Sequence, residues 1–81
     1  MADIQTGVSL AISVLRARHG RTQGWLAEAL GVSPATISHR MNGRTKWDTD
    51  DIEEIAKAFD LSPFDLIRVA DTEAHPEKVP A

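Results

Sequence analysis

The sequence predicts an all-α fold, a compact globule of five helices built from one chain of 81 residues. Three observations support this fold class. Apolar residues recur three and four positions apart in each long segment, which is the period of an amphipathic helix. Helix-start signals precede four of the five segments. No segment of useful length alternates apolar and polar residues as a half-buried strand does.

The first predicted helix runs from Thr6 or Gly7 to His19, after a loose N-terminal segment at residues 1–5. Gly20 is well placed to end this helix, because glycine readily adopts the left-handed conformation that follows many helices. Apolar residues at positions i, i+3, i+4 and i+7 form its inward stripe. These residues are Val8, Ala11, Ile12 and Leu15.

Two shorter helices follow, joined by a tight turn. Thr22 can cap a helix over residues 23–30, because its side-chain oxygen can accept one of the free N–H groups at a helix start. Ser33 followed by Pro34 is a strong start signal for the third helix, since proline at the first helical position has no N–H to leave unpaired. This helix is predicted to end near residue 41 or 42.

The last two predicted helices begin with equally clear signals. Asp48 can cap the fourth helix, with Asp51 at the third helical position as in a capping box. Ser62-Pro63 repeats the signal of the third helix and begins a short fifth one. The domain is therefore predicted to span residues 6–70, followed by a flexible polar tail at residues 71–81.

Composition argues against several functional classes. The chain has no cysteine, and its histidines (His19, His39 and His75) are not spaced as metal ligands, so we expect neither metal nor cofactor. The N-terminus lacks the features of a signal peptide, and no stretch approaches the ~20 apolar residues of a membrane span. We therefore expect a soluble, cytoplasmic protein. A chain this small, without a catalytic motif, is not expected to be an enzyme.

Charge is distributed unevenly along a chain whose net charge is −3. Residues 16–46 carry six basic groups against Glu28 alone, a balance of +5, whereas the remaining residues carry three basic groups against eleven acids, a balance of −8. Such asymmetry is typical of a surface with one face suited to phosphates, although a solvated helix surface is the simpler alternative. The six basic residues are Arg16, Arg18, Arg21, Arg40, Arg44 and Lys46.

The segment TQGWLAEALGVSPATISHRMNGR, residues 22–44, resembles the helix-turn-helix of the lambda-repressor and Cro-type, or XRE-like, family. The matching features are Gln23, Leu26-Ala27, the turn Leu30-Gly31-Val32, Ile37 and Asn42-Gly43. The similarity continues through helices 4 and 5. It implies a lambda-repressor-like DNA-binding domain in which helices 2 and 3 form the motif and residues from about 33 to 42 enter the major groove.

The resemblance implies two sets of DNA contacts. The outer face of helix 3 offers side chains for base edges and thymine methyl groups, and His39 at its middle is the best base-reading candidate, with a solvent-facing role as the alternative. The members of this face are Ser33, Pro34, Ala35, Ser38, His39 and Asn42. The flanks of the motif supply phosphate contacts, which set affinity but carry little sequence information. These residues are Arg21, Thr22, Gln23, Asn42, Arg44 and Lys46.

Arg40 and Trp25 each allow more than one placement. Arg40 stands where the family usually has an apolar residue. Either Met41 fills the gap while the head of Arg40 reaches a phosphate, or helix 3 is slightly rotated and the base-reading positions shift by one. Trp47 is predicted to pack into the core just before the cap of helix 4. Trp25 lies either at the rim of the core or near the DNA backbone.

Two functions from different classes follow. The first is a sequence-specific transcriptional regulator of double-stranded DNA, a phage repressor or Cro-like protein of phage immunity. The second is a protein-interaction module with the same fold, such as an antitoxin or antirepressor, to which the acidic surface of helix 4 is suited. For the regulator we expect a monomer or weak homodimer that pairs on its operator. The expected pairing surface is on helix 5, at Phe64, Ile67 and Val69.

Overall fold

Five α-helices and no strand are present in residues 3–74, the part of the chain that the computed structural model describes. In chain order they are α1 (Ile4–His19), α2 (Gln23–Leu30), α3 (Pro34–Met41), α4 (Thr49–Ala58) and α5 (Pro63–Ala74). This architecture confirms the all-α fold class. In the same part of the chain, no helix has the length and apolar character that crossing a bilayer requires.

The predicted caps all form at the helix starts. The side chains of Thr22 and Ser33 accept backbone N–H groups three residues ahead, at 3.0 and 3.2 Å. Ser62 does the same for Asp65 at 3.1 Å. Asp48 and Asp51 form the reciprocal capping box, each side chain accepting the backbone N–H of the other. These local bonds fix where α2 to α5 begin.

The first and last helices extend beyond the residues at which the sequence predicts them to begin and end. Helix α1 begins at Ile4, two residues before the predicted start, because the Asp3 side chain accepts the backbone N–H of Thr6 and so supplies a cap. Helix α5 continues to Ala74, past the predicted end at residue 70, since no glycine or proline interrupts residues 64–75. Residues 71–74 are thus helical. The rest of the predicted flexible tail, residues 75–81, and residues 1–2 lie outside the described part.

The core forms where α1 packs along α5, α4 packs against α5, and α2 packs against α4. It consists of apolar side chains from every helix and from the segment that precedes α4. The large side chains without exposed surface are Val8, Ile12, Leu26, Ile37, Ile55 and Leu66. Helix α3 contributes only Ile37 to the buried set, so most of its surface lies outside the core.

The turn between α2 and α3 sets the orientation of α3 relative to α2. Gly31 ends α2 with a φ of 70°, in the left-handed region that favours glycine. The next backbone N–H, that of Val32, donates to the carbonyl of Ala27 at 3.0 Å. This closed turn brings Ser33 directly to the start of α3. Helix α3 therefore packs against α2 on one side and presents its other side outward.

Candidate nucleic-acid interface

The outward side of α3 carries the residues that the sequence assigns to base contacts. Pro34, Ala35, His39 and Asn42 are exposed, as is Ser33 at the cap, whereas Ser38 is half-buried. Ile37 lies on the opposite side and anchors the helix in the core. These exposed residues are the ones expected to face outward if α3 is not rotated. This arrangement leaves a continuous, largely uncharged helix face open to a partner.

The polar side chains on this face differ in whether they already form hydrogen bonds within the protein. The Ser33 hydroxyl is engaged with the backbone N–H and the hydroxyl of Thr36, at 3.2 and 2.9 Å. The Asn42 amide donates a long hydrogen bond of 3.5 Å to the Ser38 hydroxyl. The His39 ring makes no hydrogen bond or ion pair with any residue in the described range. Both of its nitrogens are therefore available to an external group.

The end of α3 directs a short basic loop alongside this face. Gly43 has a φ of 80°, and its N–H donates to the carbonyl of Arg40 at 3.2 Å. The N–H of Arg44 donates to the carbonyl of His39 at 2.8 Å, which completes a Schellman motif. The chain then continues through Arg44, Thr45 and Lys46, all three exposed.

A second group of predicted phosphate contacts surrounds the start of α2. Thr22 and Arg21 are exposed and Gln23 is half-buried. The Arg21 guanidinium lies over the ring of Trp25, 4.9 Å from its centroid, so the charge is held beside the helix start by a cation–π contact. The Arg16 Nε donates to the backbone carbonyl of Arg21 at 3.2 Å and steadies the same loop.

Trp25 occupies the rim of the core. It is half-buried, packs against the core cluster, and lies 5.4 Å from the Phe59 ring centroid. This is the rim placement that the sequence allowed. The ring also supports Arg21, so one side chain links the core to a charged surface residue.

Arg40 makes an ion pair that neither of the two arrangements considered from the sequence includes. Its Nε lies 3.4 Å from the Asp51 carboxylate, and its guanidinium lies 6.0 Å from the centroid of the Trp47 ring. The side chain is 19% exposed, so most of it is withdrawn from solvent beside Asp51. The helix need not be rotated to accommodate it. The sequence reasoning missed this pair because its members lie on different helices.

Trp47 is part of the core, as predicted, at 3% exposure. Its indole N–H donates to the Ser9 hydroxyl at 3.0 Å. The side chain of Gln5 makes two hydrogen bonds to the backbone of Trp47. Its Oε1 accepts the Trp47 N–H at 2.6 Å, and its Nε2 donates to the Trp47 carbonyl at 2.9 Å. These bonds fix the end of the basic loop to α1. Nothing in the sequence near Gln5 or Ser9 indicates this role, because their partner is 42 or 38 residues away.

The electrostatics of the basic loop include one nearby acid. The pKa of Asp3 is lowered, chiefly because its carboxylate accepts the Thr6 backbone N–H, with a smaller contribution from the charge of Lys46. Asp3 therefore stays ionised close to a predicted phosphate contact. Within residues 3–74, no group of three histidine, aspartate or glutamate side chains is arranged to hold a metal ion.

Comparison with known proteins agrees with this geometry. The helix-turn-helix domain family matches residues 12–68, more than half of the chain. No curated protein matches the sequence significantly. The structure is similar to two crystal structures of ClgR, the clp gene regulator of Corynebacterium glutamicum. One has a TM-score of 0.82 at 25% identity, with 94% of this chain and 81% of ClgR covered. The other has a TM-score of 0.78 at 26% identity, with 90% and 94% covered.

The family match spans the motif and its supporting helices. It includes α2, the turn at Gly31 and α3, together with α4 and part of α5. The solved relatives share the arrangement of these helices and are gene regulators by description. The chain thus belongs to the helix-turn-helix domain family, and is an XRE-like DNA-binding transcriptional regulator rather than an enzyme.

Proposed function

We propose that this regulator is a sequence-specific phage-type repressor or Cro-like protein that inserts residues from about 33 to 42 into the major groove of its operator. The observation that carries the proposal is the placement of α3. Its inner side is anchored at Ile37, its outer side is exposed, and an exposed basic loop follows it directly. A groove about 12 Å wide accepts one such helix.

The outer face of α3 divides into apolar and hydrogen-bonding contacts. Pro34 and Ala35 are exposed at the start of the helix, where they can pack on a thymine methyl group. His39 is exposed one turn later, and its ring nitrogens have no partner among the described residues, so it is the residue that reads a base edge by hydrogen bonding. Ser38 and Asn42, which already share a long hydrogen bond, contribute less discrimination.

Phosphate contacts on the two flanks supply most of the affinity. Arg44 and Lys46 bind the backbone on the side of the loop, while Arg21 binds it at the start of α2. Thr22 and Gln23 lie at the same helix end, where unpaired backbone N–H groups favour an anion. Arg40 is left out of this set because its guanidinium is paired with Asp51.

Pairing of two copies on a pseudo-palindromic operator completes the proposal. Phe64, at the start of α5, is 82% exposed, which is unusual for a phenylalanine in a small domain. Ile67 and Val69 are half-buried, and Val69 packs against the core of its own chain. Phe64 is thus the centre of a small pairing surface, sufficient for a weak dimer on DNA with half-sites ~34 Å apart. The site of action is the bacterial cytoplasm, at the nucleoid.

A gel-shift series across salt concentrations tests DNA binding with matched variants. Operator-like sites are first selected from a random duplex pool. Neutralising about 4 to 6 phosphates gives a steep fall in affinity with salt. Arg44→Ala should weaken binding to all duplexes similarly and reduce the salt slope by about 1. Lys57→Ala removes an exposed charge from α4, outside the proposed interface, and should change neither quantity.

The competing proposal is a protein-interaction module. It is favoured by the acidic start of α4, where Asp50, Glu53 and Glu54 are exposed. A chain that acts through this surface would show no binding to duplex DNA even at 50 mM salt, or a flat response to salt. Either result would contradict the regulator proposal for this chain and support a protein partner.

A further inference from the structure

One charged pair in the protein is largely withdrawn from solvent. Arg40 of α3 and Asp51 of α4 approach to 3.4 Å, and their side chains are 19% and 13% exposed. Two other ion pairs, Lys57–Glu54 and Arg68–Asp65, lie within single helices and are far more exposed. Of these three pairs, Arg40–Asp51 alone joins two helices.

This pair is a poor stabiliser by its own geometry. The Nε and Nη1 atoms of Arg40 are buried, yet neither makes a hydrogen bond to another residue within 3–74. A buried donor that lacks a partner loses its hydration without full compensation. Replacing a buried ion pair by apolar residues of similar size is often neutral or stabilising. Stability alone therefore does not explain why a charge stands at this position.

The surroundings of the pair indicate what it holds in place. Helix α3 packs chiefly against α2 and has no extensive packing with α4. Asp51 is rigidly placed, because its carboxylate also accepts the N–H of Asp48 at 3.0 Å in the capping box. The Arg40 guanidinium in turn lies near the ring of Trp47, which is bonded to Ser9 of α1. The pair thus connects the C-terminal half of α3 to fixed points on two other helices.

We propose that Arg40 and Asp51 are positioning residues, and that their ion pair sets the rotation and tilt of α3 and thereby the base specificity of the regulator. Arg40 follows His39 directly in the chain, so a small rotation of this turn redirects the proposed base-reading side chain. The inference rests on the proposed DNA-binding function. It adds a specificity determinant that does not itself touch DNA.

Two variants of equal charge test the proposal. Asp51→Asn keeps an oxygen that can accept the N–H of Asp48 but removes the charge that attracts Arg40. Asp50→Asn removes a neighbouring exposed carboxylate from the same helical turn and does not involve Arg40. Affinity for a selected operator and for random duplex is measured for both variants, together with thermal unfolding. The double variant Arg40→Met/Asp51→Asn, which leaves no unpaired charge, guards against loss of folding.

The ratio of operator affinity to random-duplex affinity is the decisive quantity. We expect this ratio to fall about tenfold in Asp51→Asn and in the double variant, equivalent to one misplaced base contact. Asp50→Asn should keep the wild-type ratio. A folded double variant with an unchanged ratio overturns the proposal. So does a parallel loss of both affinities that follows the loss of stability, because it shows a merely structural role.

A readout without DNA separates this proposal from the proposed function. Amide chemical shifts of α3 are compared with those of α1 in free Asp51→Asn and Asp50→Asn. We expect shifts along α3 in Asp51→Asn only. If the wild-type chain binds no duplex, the proposed function fails, yet these shifts still show whether the pair orients α3. Unchanged α3 shifts overturn the positioning role whatever the DNA result.

Discussion

Helices α1 and α3 are held in place in different ways. Helix α1 has sixteen residues, buries five of them, and packs along α5. Helix α3 has eight residues and buries only Ile37. It depends on the Ser33 cap, the closed turn at Gly31 and the ion pair from Arg40 to Asp51. Apolar packing therefore maintains the fold, whereas a few directed polar contacts determine how α3 is presented.

This division explains how a small protein can vary its binding surface. The outer residues of α3 contribute nothing to the core, so changes at Ala35 or His39 do not create cavities. A scaffold residue such as Ile12 has no exposed surface and no route to DNA. Stability and recognition should accordingly respond to different substitutions, and the predictions below test that separation.

The largest expected effect is on folding. Ile12→Ala should lower the free energy of unfolding by about 2–5 kcal/mol, because it removes a fully buried side chain and leaves a cavity. Urea denaturation measures the loss. Ile12→Val, expected to cost about 0.5–1.5 kcal/mol, provides a variant that stays folded. Its preference among DNA sequences should match that of the wild type, and a changed preference would show that scaffold and recognition are coupled.

The next effect is on recognition alone. His39→Ala should alter the preference at one or two base pairs by about 1–3 kcal/mol, because a free base-reading group is lost. Unfolding should change by less than about 0.5 kcal/mol, since the side chain is exposed. Binding to an operator and its single-base variants measures the preference. His19→Ala, at an exposed histidine of α1, is the control and should preserve it. Equal losses on every duplex would refute the assignment of His39.

How far the sequence predicts this protein depends on the range of each interaction. Caps such as Thr22 and Asp48, and the turn at Gly31, involve partners within five residues, so they could be read directly. The exposed face of α3 followed from the spacing around Ile37. The bonds between Gln5 and Trp47 could not be predicted, because they depend on how α1 meets the segment before α4.

The same reason explains why the partner of Arg40 was not predicted. Its position is usually apolar in the family, so the sequence allowed a head that reaches a phosphate or a slightly rotated helix, and only the fold brings Asp51 of α4 close to it. The helix ends at residues 4 and 74 were missed for a related reason. Polar termini give no apolar period, although an Asp3 cap and an uninterrupted α5 extend the helices there.

A smaller effect is expected where the scaffold supports α3. Asp48→Ala should cost about 1 kcal/mol of stability, because the Asp51 backbone N–H loses its side-chain acceptor. The Arg40–Asp51 ion pair does not require that acceptor, so the ratio of operator to random-duplex affinity should persist. Chemical denaturation and gel shift measure the two quantities. Glu53→Ala, an exposed change in the same helix, should leave the free energy of unfolding and the affinity ratio unchanged within experimental error. A loss of specificity in Asp48→Ala would extend the positioning role to the whole capping box.

The smallest effect is confined to the first turn of α1. The pKa of Asp3 is lowered in the folded chain, mainly by the Thr6 backbone N–H, so this cap stabilises the helix above the ordinary pKa of an aspartate. Its contribution is lost as the pH falls through the lowered value, because the protonated carboxyl is a weaker acceptor. The Thr6 amide shift should titrate accordingly in NMR spectra, while amides in the middle of α3 should not follow the same curve. Asp3→Asn keeps an acceptor without a titrating group and should abolish the Thr6 transition. A common transition in α1 and α3 would mean that the helix start and the recognition helix unfold together, against the separation drawn between them.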